Sequence, residues 1–195
     1  MHNKNIFIHH GSFQDVVGHI SKLSFETGET EWSYPCEEKL MKFLAIVDHV
    51  LILRFERISV GLNIHTGKEV WRNSAVQFFN KEKKRLEVLS GKWYMIIDPL
   101  TGKIIEEHIN EEWSNRKKYG FDRRFPAYFD DYIVSTSSDQ KRIGIFNTQS
   151  LQWEWTYDMG VGILGHEKFL KVDENRIYVV DHKKNLWIFE REDEI

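Results

Sequence analysis

At 195 residues, with 41% apolar and 14% aromatic side chains, the chain can bury one core or two very small ones. Its 27 basic and 30 acidic residues leave a formal charge of −3, which excludes a global pull towards nucleic acid or an anionic membrane. Cys36 is the single cysteine, so no intrachain disulfide forms, and no apolar stretch has signal-peptide or membrane-spanning length; a cytoplasmic location is the expectation.

Taken in chain order, runs of alternating or continuous apolar residues bounded by turn chemistry predict strands throughout. A first unit has strand signals at 5–10, 18–25 and 31–34. A second has four, at 42–47, 49–55, 58–64 and 69–72. A third has four, at 76–79, 86–89, 93–97 and 103–107. A fourth has four, at 126–130, 132–136, 143–146 and 152–157. The last unit has signals at 168–172, 176–181 and 186–190. Helix is expected only near 110–118.

One motif sets the phase of these units. Ser24-Phe25-Glu26-Thr27-Gly28 is followed by Trp32, and Asn63-Ile64-His65-Thr66-Gly67 by Trp71. Asp98-Pro99-Leu100-Thr101-Gly102 is followed by Glu106, so the aromatic is lost. Asn147-Thr148-Gln149-Ser150-Leu151 is followed by Trp155, so the glycine is lost. Positions 28, 67, 102 and 151 lie 39, 35 and 49 residues apart, the spacing of propeller or solenoid repeats. The Asx side chain can bond the backbone a few residues on, glycine supplies positive φ, and the indole on the returning strand can pack between sheets. Trp32, Trp71 and Trp155 are therefore expected at equivalent, largely buried positions.

The stretch Asn63 to Trp71 resembles the blade signature of the quinoprotein-type (PQQ-like) propeller repeat, Asp-x-x-Thr-Gly-Lys-x-x-Trp. Asp98 to Lys103 matches its first half, and Asp181 to Phe189 resembles the hairpin and third strand of a further blade. The resemblance implies an all-β fold: a small β-propeller of about five blades, each an antiparallel four-stranded meander, forming a single domain over 1–195. Eighteen strand signals fall short of the twenty that five full blades need. The terminal blades are therefore incomplete, or the last is closed by the N-terminal strand. The quinoprotein cofactor and calcium residues have no counterpart here, so no cofactor is expected.

Catalytic and metal chemistry find little support. His9 and His10 are adjacent and would face opposite sides of a strand. The other histidines lack ligand spacing, so no metal site is expected. There is no Gly-x-Ser-x-Gly elbow, and Cys36 is a lone thiol. Gly160-Val161-Gly162-Ile163-Leu164-Gly165 fits Gly-x-Gly-x-x-Gly spacing but lacks a surrounding βαβ unit, so it reads as an inter-blade connection. Asp130-Asp131 reads as a turn.

The long 49-residue interval comes from an insertion at about 108–125 that concentrates aromatics and arginines. Trp113, Arg116, Tyr119, Arg123 and Arg124 are the candidate interface residues, because these residue types dominate binding hot spots. The expected function is a non-enzymatic protein-binding scaffold, in its most specific form a bacterial immunity protein that masks a toxin. The alternative is an enzyme or carbohydrate-binding propeller using one face or the central channel. A protein partner is expected, nucleic acid is disfavoured, no membrane association is expected, and the chain should be a monomer or weak homo-oligomer.

Overall fold

The computed structural model describes residues 6–11, 18–74, 78–90, 92–111, 126–137, 141–164 and 169–191. Among these residues, eighteen strands form five antiparallel meanders. The first sheet is β1 (Ile6–His10), β2 (Gly18–Leu23) and β3 (Thr30–Cys36). The second is β4 (Leu40–Val47), β5 (Val50–Phe55), β6 (Ser59–Asn63) and β7 (Glu69–Asn73). The third is β8 (Phe78–Asn80), β9 (Arg85–Ser90), β10 (Trp93–Ile97) and β11 (Ile104–Ile109). The fourth is β12 (Ala127–Phe129), β13 (Tyr132–Thr136), β14 (Arg142–Asn147) and β15 (Gln152–Asp158). The fifth is β16 (Leu170–Val172), β17 (Arg176–Val180) and β18 (Leu186–Glu190). Every strand lies within a few residues of its sequence signal.

Two details extend the expectation. β1 pairs with β2, Ile6 opposite Leu23 and His10 opposite His19. Closing the short connection between β1 and β2 costs far less chain entropy than pairing strands at opposite ends of the sequence. Both terminal sheets are accordingly three-stranded among the described residues. In addition, β11 runs on through His108 and Ile109, so the strand takes the first two residues assigned to the insertion. Asn110 and Glu111 are not α-helical, and the rest of the expected helix lies outside the described residues.

The chain divides into two compact units, residues 1–87 with 96–106, and residues 88–95 with 107–195; β9, β10 and β11 each have residues in both. The core of the first unit joins the first two sheets through Ile20, Trp32, Cys36, Leu51, Leu53, Phe55, Val60, Leu62 and Ile64. That of the second joins the fourth and fifth through Val134, Ile143, Met159, Ile163, Leu170, Ile177 and Val179.

The repeated turn behaves as its chemistry demands. The Asn63 carboxamide oxygen accepts the amides of His65 and Thr66 at 2.9 and 3.1 Å, and Asn147 does the same for Gln149 and Ser150. Gly67 and Gly102 close their turns with φ of 69° and 66°.

What the motif does becomes clear one repeat further on. Trp32 Nε1 donates to the Ile64 carbonyl of the second sheet's turn at 3.0 Å, and a Cβ at Gly67 would lie 2.7 Å from the Trp32 ring. Trp71 Nε1 donates to the Pro99 carbonyl at 2.9 Å, and a Cβ at Gly102 would lie 2.7 Å from the Trp71 ring. Each indole thus stands on the glycine of the following repeat. In the sequence, the repeat without the tryptophan, at Glu106, is followed by the repeat without the glycine, at Leu151, which takes the turn position with a positive φ of 57°.

Candidate functional site

The second unit holds a cavity of about 400 Å³ between the fourth and fifth sheets. Its walls are apolar. Phe129, Tyr132, Val134, Ile145 and Trp155 come from the fourth sheet, and Val172, Ile177 and Phe189 from the fifth. Strand alternation puts them there. On β18 the odd positions Trp187 and Phe189 turn inward to the core, while Leu186 and Ile188 are left more than half exposed on the other face. On β15, Trp155 and Tyr157 share a face. Their rings stack at 5.8 Å and 8°, and Phe189 meets them edge-on at 5.5 and 5.0 Å.

The rim is charged and unbalanced, with carboxylates from Glu154, Asp173, Glu174 and Glu190 against the guanidiniums of Arg176 and Arg191. Arg176 clasps Glu190 through Nε and Nη2 at 3.0 and 2.7 Å. The Tyr178 hydroxyl donates to Asp173 at 2.9 Å, and together with the amides of Asn175 and Arg176 it holds the Asp173 carboxyl below its ordinary range. Glu154 accepts from Asn147 Nδ2 at 2.6 Å. Glu174 has no partner among the described residues.

The lining has no histidine, cysteine or serine. Asp173 is tuned to stay ionised, the opposite of what a general acid needs at neutral pH. Beside the cavity, Asp181 accepts from the Asn185 amide at 2.8 Å, Asn185 Nδ2 at 2.9 Å and Trp187 Nε1 at 3.0 Å. These bonds, that of Trp187 foremost, draw its pKa down to about 2 and fix the hairpin that presents Trp187 and Phe189.

Trp155 departs from expectation: it is half-buried, whereas Trp32 and Trp71 are buried. Its Nε1 finds no acceptor among the described residues. The fifth sheet has three described strands, so no described fourth strand covers the indole.

The other singled-out residues fall as follows. Trp113, Arg116, Tyr119, Arg123 and Arg124 all lie outside the described residues. His9 and His10 are neighbours on β1, and Asp130-Asp131 form the turn between β12 and β13. Glu37 and Glu38 pair with Arg72 and Arg57. Gly160 and Gly162 lie in the connection between β15 and β16. Among the described residues no three metal-ligating side chains converge. Sequence reasoning missed the cavity itself. The available signal was the clustering of apolar aromatic residues on the fourth and fifth units' strands, among them Trp155 and Phe189.

No family model matches the chain, and no curated protein matches it in sequence. Solved structures match it in fold. BamB from Moraxella catarrhalis aligns with a TM-score of 0.59 at 13% identity, over 96% of this chain and 62% of that one. Hsv2 from Kluyveromyces lactis gives 0.65 at 12% identity, over 100% and 60%. A chain of the mitotic checkpoint complex gives 0.59 at 9% identity, over 98% and 63%. These are β-propeller proteins, and the all-β meanders of this chain share their fold. The chain spans about three fifths of the length of each.

Proposed function

We propose that the chain is a non-enzymatic protein-binding scaffold whose binding surface centres on the groove between its fourth and fifth sheets. The observation that carries this reading is the groove's make-up: Tyr132, Trp155 and Phe189 as apolar walls beside a rim containing Arg176 and Arg191. Tryptophan, tyrosine and arginine in a desolvated pocket are the usual anchors of protein interfaces. The likeness in fold to a chain of the mitotic checkpoint complex, itself an assembly of proteins, supports the same reading by analogy. The blades belong, in this reading, to the PQQ-like repeat type, on the strength of Asn63 to Trp71. The insertion, with Trp113, Arg116, Tyr119, Arg123 and Arg124, forms a second part of the contact surface. The most specific form of the proposal is an immunity protein that masks a toxin.

The test is partner capture from native cell lysate with the wild type, a Trp155→Ala variant and a Trp113→Ala/Arg123→Ala/Arg124→Ala variant. A protein recovered by the wild type and weakened roughly thirtyfold by either variant is expected, since a lost anchor costs about 2 kcal/mol. Retention that falls steeply with salt and is abolished by nuclease would point to nucleic acid instead. If the recovered partner kills a bacterial host and co-expression of the chain rescues growth, the immunity role stands; a harmless partner removes it.

A further inference from the structure

Away from the groove, the pairing of the first two strands makes a constellation that spacing along the chain hides. Histidines at positions 10 and 19 match no ligand pattern in the sequence. In the first sheet, however, His10 on β1 sits directly opposite His19 on β2. Opposed residues of an antiparallel pair project from the same face, with Cβ atoms about 5 Å apart. Both histidines are exposed.

Their surroundings leave the two imidazoles to each other. Opposite His19 on β3 is Pro35, whose side chain offers neither donor nor acceptor. The neighbouring pair on the same face is Ile8 and Ser21; Ile8 is apolar, and the Ser21 hydroxyl donates to that of Ser33 at 3.3 Å. Among the described residues no hydrogen bond, ion pair or ring contact holds His10 or His19. His9 belongs to the opposite face, across from the fully buried Ile20. Its ring lies over Gly18, where a Cβ would come within 2.8 Å of His9 Nε2.

Two neutral imidazoles so placed are a chelating pair. Metal–nitrogen bonds of about 2.0–2.1 Å put the two donor atoms roughly 3 Å apart. Rings carried on Cβ atoms about 5 Å apart reach that separation by choice of rotamer. Imidazole suits borderline divalent ions, and affinity along the first transition row peaks at Cu²⁺. No third ligating side chain joins the pair among the described residues, so water fills the remaining positions.

The fold gives such an ion a task. β1 has no fully buried side chain. Phe7, with its ring centroid 5.9 Å from that of Trp32, anchors the strand's first half, but Ile8, His9 and His10 are exposed. Little apolar burial therefore holds the second half against β2.

We infer that His10 and His19 form a two-imidazole site for a borderline divalent transition-metal ion, Cu²⁺ foremost, which staples the end of β1 to β2. The inference stands apart from the scaffold reading, because none of these residues lines the groove.

The probe is the metal itself. Cu²⁺ is titrated into the full chain and into His10→Gln, His19→Gln and His9→Gln variants, with calorimetry for affinity and electron paramagnetic resonance for the donor set. The tightest class of site should hold one ion per chain through two imidazole nitrogens. Either His10→Gln or His19→Gln should weaken it roughly tenfold or more, since the second nitrogen binds as an intramolecular ligand. His9→Gln should bind like the wild type. All three changes replace exposed side chains, so lost binding is not lost folding. Hydrogen exchange adds a readout that a site elsewhere on the surface would not move: Cu²⁺ should slow the amides of β1 in the wild type and not in His19→Gln. Equal affinity in the wild type and either of the two pair variants, a single-imidazole spectrum, or unchanged exchange in β1 overturns the inference. So does a Cu²⁺-dependent dimer in sedimentation with one ion per two chains, because each copy would then supply one imidazole.

Discussion

Trp32 and Trp155 share the motif Glu-Trp-x-Tyr and have opposite circumstances in the fold. Trp32 is 8% exposed, bonded to a carbonyl and floored by a glycine from the next sheet. Trp155 is half-buried against Tyr157 and Phe189 at the mouth of a cavity. The motif Glu-Trp-x-Tyr is therefore neither structural nor functional in itself. It is a latch, and its meaning depends on whether the following repeat supplies the other half. Where the other half is present, the latch seals a core; where no described strand supplies it, the same rings stay half open at the mouth of a cavity.

The largest effect that can break this contrast is truncation of the two kinds of tryptophan. Trp71→Ala should cost about 3–5 kcal/mol in urea denaturation, the range for a buried large aromatic. Trp155→Ala should cost about 1 kcal/mol, because much less apolar surface is withdrawn from water there. Equal costs would mean that the two seats are filled alike.

A sharper version exchanges the floor in place of the ring. Gly28 and Gly67 share a left-handed φ, of 73° and 69°, but a Cβ at Gly28 meets nothing within 4 Å, while one at Gly67 strikes Trp32. Gly28→Ala should cost about 1 kcal/mol for the backbone conformation alone. Gly67→Ala should cost about 2–4 kcal/mol, because overpacking adds to that strain. Thermal melts of the two variants measure the indole contact by difference, and indistinguishable melting temperatures would remove it.

Acid should act on the second unit through Asp181. Its folded pKa of about 2 lies below the ordinary aspartate value of about 3.9. The stabilisation it lends is thus fully present above about pH 4 and is lost as pH falls towards 2. Trp187 fluorescence and stability should fall together across that window in the wild type. An Asp181→Ala variant should be less stable at neutral pH and lose stability less steeply between pH 4 and 2, Asp173 still contributing a slope there; an unchanged slope would disconnect the hairpin from this carboxylate.

The smallest expected effect concerns Cys36, buried in the first unit's core beside the filled seat. Burial raises its pKa to about 11, so the thiolate is scarce at pH 8. Its reaction with a disulfide reagent should be slow in the native chain and fast in urea. Gly67→Ala should speed it by loosening that core, and rapid labelling of the native wild type would show that the seat opens.

Much of this architecture was legible along the chain because hairpins are local objects. Short apolar runs such as Tyr132 to Thr136 and Arg142 to Asn147, with Asx and glycine chemistry in the turns, fix strands and turns from residues a few positions apart. Even the phase of the repeat was readable, since Thr-Gly and tryptophan recur at fixed offsets. The tertiary structure alone decided that Trp32 serves Gly67 thirty-five residues away, that β1 folds back on β2, and that Trp155 stays half open. It alone assembled a groove from Phe129 to Arg191, segments that share no local pattern. The physical reason is that turn and strand preferences act within a few bonds, whereas a cavity is whatever space is left when faces from distant segments meet.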